Sequence, residues 1–256
     1  MIGFLLNSSK WRLLITVLPL TSLFGLAKLA SHRLGWEPWA FDSQTGALFG
    51  AATFVIAFTL AGTLSGYNDS ADMPVQIANS VETMQDANVV LAQVHPGYDP
   101  TPLQANLAHL AEVILDWLRN GKAADQVEEA LGQLNGHFAT LLPLAGPAML
   151  NRLQGEQARI RFLVKQMGLS RDTDFIGPAY VLLEVFLIGA ISALLLIGTD
   201  RFSETLVVSC LMFTSFTYLL LLIRDLDNPF EYNGKSSVDV DLGLLEATRD
   251  RLRPTP

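Results

Sequence analysis

Charge is absent from four long stretches of the chain or nearly so. Leu13 to Ala27 carries none, and apolar character continues past Lys28 to Ala30. Thr45 to Gly66 runs for 22 residues without a charge, Ile176 to Thr199 for 24 with Glu184 alone, and Phe202 to Ile223 for 22 with Glu204 near its start. A helix needs about 20 apolar residues, within a range of about 17 to 25, to cross the hydrocarbon of a bilayer. Helices in soluble cores average only about 11 or 12 residues. The pattern therefore predicts an all-α membrane protein with four spans. The first run is shorter and contains Pro19, so three spans plus an interfacial helix is the alternative. Lys10 and Arg12 precede that run, but the following AKLASHRLGWEPW adds basic and aromatic groups, which argues against a cleaved signal while leaving a cut after Ala27 or Ala30 open.

The runs divide the chain into residues 1–66 with the first two spans, a polar region 67–175, a hairpin of spans 176–223, and an acidic tail 224–256. The polar region reads as helical. Leu103, Leu107, Leu110, Ile114 and Leu118 recur every three or four residues as one apolar stripe, with Pro102 suited to its first turn and Gly121 to its end. A separate helix is expected from near Pro74 through Ile77, Val81, Met84 and Val89. Two more are expected over residues 123–141 and 148–167, the last packing through Ile160, Leu163, Val164 and Met167. Lys10, Arg12, Arg119, Lys122, Arg152, Arg159, Arg161, Lys165, Arg171 and Arg224 fall on one side of a four-span arrangement, against Lys28, Arg33 and Arg201 on the other. Basic residues near span ends favour the cytoplasmic face, which places both termini and the polar region there.

Composition supports the membrane reading: half of the residues are hydrophobic, mean hydropathy is +0.33, and 16% are charged against roughly 25% in soluble domains. The lone Cys210 excludes a disulfide within the chain. A formal charge of -8 argues against nucleic acid as a partner, because phosphate binding needs a basic surface. Inorganic ions, membrane lipids and further copies of the chain are the partners expected instead.

Candidate chemistry concentrates around the spans. The second is rich in small residues, and Gly46 and Gly50, like Gly62 and Gly66, stand four apart, allowing another backbone close. Phe54 and Phe58 lie one turn apart, so copies of this helix around an axis could form a constriction that gates by dewetting. Phenylalanines packed on a neighbouring helix would share that spacing. Glu184 is an acid deep in the third span, costly when ionised, with Tyr180 one turn away as a polar partner. Asp69 and Asp72 follow the second span; Asp225, Asp227, Glu231, Asp239 and Asp241 follow the fourth. Such oxygens suit a hard cation such as calcium, but Pro229 and Gly234 do not fit a twelve-residue calcium loop. A cation would need ligands from both sets or from a neighbouring subunit, and solvated acids and helix caps are the alternative. His32, His95, His109 and His137 form no metal-ligand spacing, and Ser65 follows a membrane helix instead of a strand, so no enzyme is expected.

The stretch IRDLDNPFEYNG, which ends the last apolar run, resembles the signature after the last transmembrane helix of bestrophins. Asn228, Pro229 and Phe230 match its tripeptide, and Asp241, Leu242 and Leu244 resemble its later part. FVIAFTLAGTLSGYNDSADMP resembles the family's second helix, with Phe54 at a neck position and Tyr67 at its end. The bacterial bestrophin-like group of membrane proteins matches equally well. The resemblance implies a multi-pass protein of the bacterial inner membrane that forms a homopentamer, with the second helices lining one central pathway. Animal members are calcium-activated anion channels, and bacterial relatives can favour cations. Here Gly46 and Gly50 stand where the family neck has bulky apolar residues, Gly62 and Thr63 replace an expected Arg-Trp pair, and the acidic run after the tripeptide is diluted. These departures weaken the transfer of calcium gating and anion preference. With the acidic net charge, they lead to the expectation of a passive, cation-preferring channel. A chloride channel and a non-conducting scaffold for cytoplasmic partners are the alternatives.

Overall fold

The computed structural model describes residues 9–121, 123–172, 177–232, 236 and 238–253. Lys122, the start of the third apolar run at Ile176, and Gly234 lie outside them. Eight helices are found among the described residues: α1 (Ser9–Arg33), α2 (Ser43–Val94), α3 (Thr101–Asn120), α4 (Ala124–Leu141), α5 (Pro147–Asp172), α6 (Gly177–Leu196), α7 (Phe202–Asp227) and α8 (Gly243–Leu252). The described residues form no strand; Trp39 and Ile197 make one isolated bridge. The chain divides into two compact units, Met1–Tyr67 with Asp174–Asn228, and Asn68–Thr173 with Pro229–Pro256.

The first unit holds α1, the start of α2, α6 and α7. Trp11–Arg33, Ser43–Val94 and Phe202–Asp227 are long and apolar enough to span a membrane, and α1 runs through Pro19 without a break. The apolar run described in α6, Tyr180–Leu196, has 17 residues, at the short end of the spanning range. A core of Phe24, Phe49, Ala52, Ile56, Leu183, Leu187 and Phe216 joins the helices. Phe24 stacks on Phe213 with centroids 4.4 Å apart, and the hydroxyls of Thr21 and Thr214 share a 2.8 Å hydrogen bond. Leu23, Leu26, Val181, Val185, Ile188 and Leu211 point outward, as lipid-facing side chains do.

A polar clasp closes the end of this unit where α6 stops. The last carbonyls of a helix lack intrahelical partners and favour a cation. Lys28, fully buried, donates to the Leu195 carbonyl at 3.1 Å and to that of Ile197, and pairs with Glu37 at 2.8 Å. Glu37 also pairs with His32 Nδ1 at 2.8 Å, and the His32 ring stacks on Phe202 at 3.8 Å. The linker is pinned beside this cluster: the Trp39 N–H donates to Leu196 at 3.2 Å, and the Gly198 N–H donates back to Trp39 at 2.9 Å. A Cβ on Gly198 would lie 2.8 Å from Glu37 Cβ and 3.3 Å from its carbonyl oxygen. Gly198→Ala is therefore expected to cost about 1–3 kcal/mol by overpacking. It should lower the thermal unfolding midpoint in detergent, whereas Gly189→Ala, with open space at its Cβ, should leave it unchanged.

In the second unit the expected stripe is the core. Leu103, Leu107, Leu110, Ile114 and Leu118 are each at most 1% exposed, and Gly121 ends α3 in the left-handed conformation at φ 64°. Val127, Leu131, Leu134 and Phe138 of α4 and Leu153, Ile160, Leu163 and Met167 of α5 complete it. One expectation is corrected. No separate helix begins near Pro74, because α2 continues through it. Met73, Ile77, Ala78 and Val81 are buried on either side, and that packing outweighs the hydrogen bond Pro74 cannot make. The tail beyond Asn228 keeps Glu231 and Asp241 exposed but is anchored by apolar side chains. Phe230, Val240, Leu242, Leu245 and Leu252 are buried, the Val240 N–H donates to Pro229 at 3.0 Å, and Tyr232 donates to the Val240 carbonyl at 2.8 Å. Helix α8 is held by Glu246 to Arg119, by Thr248 to Glu82 at 2.8 Å, and by the Leu252 carbonyl accepting from Gln104 at 3.0 Å. An apolar run therefore stops at Asn228-Pro229-Phe230 because the chain turns there and buries Phe230.

Candidate functional site

Helix α2 starts on a strong cap. Asp42 Oδ1 accepts the backbone N–H groups of Thr45 at 2.9 Å and Gln44 at 3.0 Å, while the Asp42 N–H donates to Thr45 Oγ1 at 2.9 Å. The N–H of Thr45 holds the Asp42 carboxyl below the usual carboxylate range. From there, one face of the helix turns into the first unit. Phe49, Ala52, Ile56, Thr59 and Thr63 recur at three and four residues and are all buried. The Thr63 hydroxyl is satisfied locally, donating to the Thr59 and Leu60 carbonyls at 3.2 and 3.1 Å.

The opposite face is bare. Gly50, Phe54, Phe58, Ala61 and Ser65 are exposed there, with Phe54 at 70% and Phe58 at 73%. The two rings stack with centroids 6.4 Å apart and planes 17° off parallel. A Cβ at Gly46, Gly50, Gly62 or Gly66 would find nothing within 4 Å. Among the described residues, the four glycines thus make no close approach to another part of the chain, and the phenylalanines stand exposed instead of packed on its helices.

Glu184 lies on the exposed side of α6 beside Val181, Val185 and Ile188, whereas Tyr180 is partly buried against the core of Leu183 and Leu187. Asp69 and Asp72 belong to the second unit, where with Met73, Gln76, Arg159 and Phe162 they line a hollow of about 320 Å³. Arg159 donates to Gln76 across it at 3.2 Å. Asp225 and Asp227 end α7 in the first unit. Glu231 and Asp241 are exposed, and Asp239 is half-buried. Asp241 Oδ1 accepts the Gly243 N–H at 2.8 Å at the start of α8, a capping role. Among the described residues no three His, Cys, Asp or Glu side chains gather as a metal site.

The clasp of Lys28, Glu37 and His32 was not legible from spacing. A lone lysine inside an apolar run was its one signal, and only the fold brings the end of α6 to it.

Neither a family model nor a curated protein sequence matches the chain. Solved structures do. A single-substitution variant of a bacterial bestrophin homologue from Klebsiella pneumoniae superposes with a TM-score of 0.74 at 12% identity, covering 95% of this chain and 97% of that one. A second variant of that homologue gives 0.76 at 12% identity over 93% and 96%. A crystal structure described as a membrane protein gives 0.76 at 12% over 96% and 99%. A backbone match over nearly the full length of both chains leaves one conclusion about architecture: the chain has the fold of the bacterial bestrophin homologues.

Proposed function

We propose that the chain is one subunit of a passive ion channel, a homopentamer in which the α2 helices enclose the conduction path and Phe54 and Phe58 form its constriction. The observation that carries this reading is the bare face of α2: two stacked phenylalanines and contact-free glycines on a helix otherwise anchored to its own unit. A soluble surface would not leave two such rings uncovered, since each offers about 150–250 Å² to burial. Lipid alone would not call for glycines, which serve close approach of backbones. Run lengths support four spans and the distribution of Lys and Arg supports cytoplasmic termini, while the place in a bacterial inner membrane rests on the resemblance to the bacterial bestrophins.

Cation preference is the finer part of the proposal. Helix α2 continues beyond its apolar run into Asp69 and Asp72, and each subunit carries a formal charge of -8. Acidic linings concentrate cations and repel anions. The test is the reversal potential of purified protein in proteoliposomes under a potassium chloride gradient. A shift toward the potassium equilibrium potential is expected, and Asp69→Asn with Asp72→Asn should reduce it. A shift toward the chloride potential would overturn cation preference in favour of an anion channel. Absence of flux from correctly assembled protein would overturn the channel and favour a scaffold.

A further inference from the structure

Beside the hairpin of α6 and α7 lies a hollow of about 540 Å³. Apolar Phe41, Phe49, Leu194, Val208 and Met212 line it together with the hydroxyl residues Thr199, Thr205 and Ser209 and the charged Asp200, Arg201 and Glu204. On α7 the lining residues Glu204, Val208 and Met212 are four apart, so the slot runs for roughly 12 Å at 1.5 Å per residue from charged rim to apolar floor. Arg201 and Glu204 are 78% and 65% exposed and pair at 3.3 Å. A pair so exposed is held by little, so each member is available to an external partner.

The layout has three parts: a guanidinium, carboxylates close to it, and an apolar slot beneath both. A guanidinium matches a phosphodiester, and a carboxylate matches a primary ammonium. A slot that starts at the polar end of an apolar hairpin matches an acyl chain. We propose that this hollow seats a phospholipid whose headgroup bears a primary ammonium, with one acyl chain along Val208 and Met212, its phosphate on Arg201 and its ammonium on Glu204. The proposal rests on the first unit lying in a membrane, not on conduction, so its fate and that of the channel reading are separable.

Native mass spectrometry of the purified protein in detergent tests it, with dioleoyl phosphatidylethanolamine, phosphatidylcholine and phosphatidylglycerol as probes of equal chain length. Phosphatidylethanolamine should be retained about tenfold more strongly than either of the others, because a quaternary ammonium cannot donate a hydrogen bond and a glycerol headgroup carries no cation. Glu204→Gln, at an exposed position, should remove that preference, Arg201→Ala should lower retention of all three because they share the phosphate, and Val208→Trp should lower it for all three by filling the slot. Thermal unfolding of each variant confirms that it has folded. Equal retention of the three lipids, a preference unchanged in Glu204→Gln, or retention unchanged in Arg201→Ala, would overturn the proposal. So would Val208→Trp dispersing the oligomer with no lipid retained by the parent, which would make the occupant a second copy of the chain.

Discussion

Replacing Phe54 and Phe58 together with alanine is expected to raise passive ion flux through the reconstituted protein about tenfold, the factor that lowering a barrier by about 1.4 kcal/mol produces. A ring of phenylalanines resists ions by excluding the water that must accompany them, and each copy of the chain contributes two such rings, stacked one turn apart. With the rings 70% and 73% exposed within the chain, their removal opens no cavity in its own core. The double variant should therefore unfold near the parent temperature while conducting more, and the single variants should fall between. Phe49→Ala makes the contrast. Phe49 is 6% exposed on the anchored face of the same helix, so its loss should cost about 3–5 kcal/mol of stability without raising the flux of protein that remains folded. Flux unchanged in the double variant, with assembly intact, would remove these rings as the constriction.

What the sequence makes legible depends on whether the signal is local. The stripe from Leu103 to Leu118 and the stop at Gly121 are readable because a helix imposes its period on a solvated, one-sided surface. The all-helical membrane class follows from run length in the same way. Pro74 misleads, since a proline that suits a first turn is equally tolerated where packing on both sides holds the helix, and no local pattern separates the cases. The tail is legible only in part for a related reason: its exposed acids stand out in the composition, while Phe230, Val240, Leu242 and Leu245 are spaced too irregularly to announce that they are buried. On α2 the sequence leaves two readings of Phe54 and Phe58, a pore face or an internal packing face. Internal packing against the chain's own helices is excluded only by a fold in which Phe49, Ala52 and Ile56 take that role.

Lys28→Met is expected to destabilise the protein by about 3–5 kcal/mol, the range for removing one partner of a buried ion pair. Lys28 has no exposed side-chain surface, and Glu37 is 11% exposed. Methionine fills much of the same space, so the loss is electrostatic and not a cavity. It strands the Glu37 carboxylate with His32 as its remaining partner, takes the Lys28 donor from the Ile197 carbonyl, and leaves the Leu195 carbonyl with the longer Ser31 hydroxyl bond at 3.3 Å. Glu37→Gln added to Lys28→Met should restore part of the loss, because no buried charge then remains uncompensated, and the two changes should be strongly non-additive. Acid gives an independent reading of the same contact. Burial alone would raise the Glu37 carboxyl, but hydrogen bonds from His32 and Lys28 and their charges outweigh it and hold the group below its ordinary value of 4.5. A carboxylate depressed on folding contributes stability that is present above the ordinary value and lost as pH falls through the lower folded value. Thermal unfolding midpoints of the parent in detergent should therefore fall on acidification below 4.5 by more than those of Glu37→Gln, which has no such proton to take up. An unfolding temperature for Lys28→Met equal to that of the parent at neutral pH would show that the clasp contributes nothing to stability, and that the linker and the end of α6 are held by the backbone bridge of Trp39 to Leu196 and Gly198 alone.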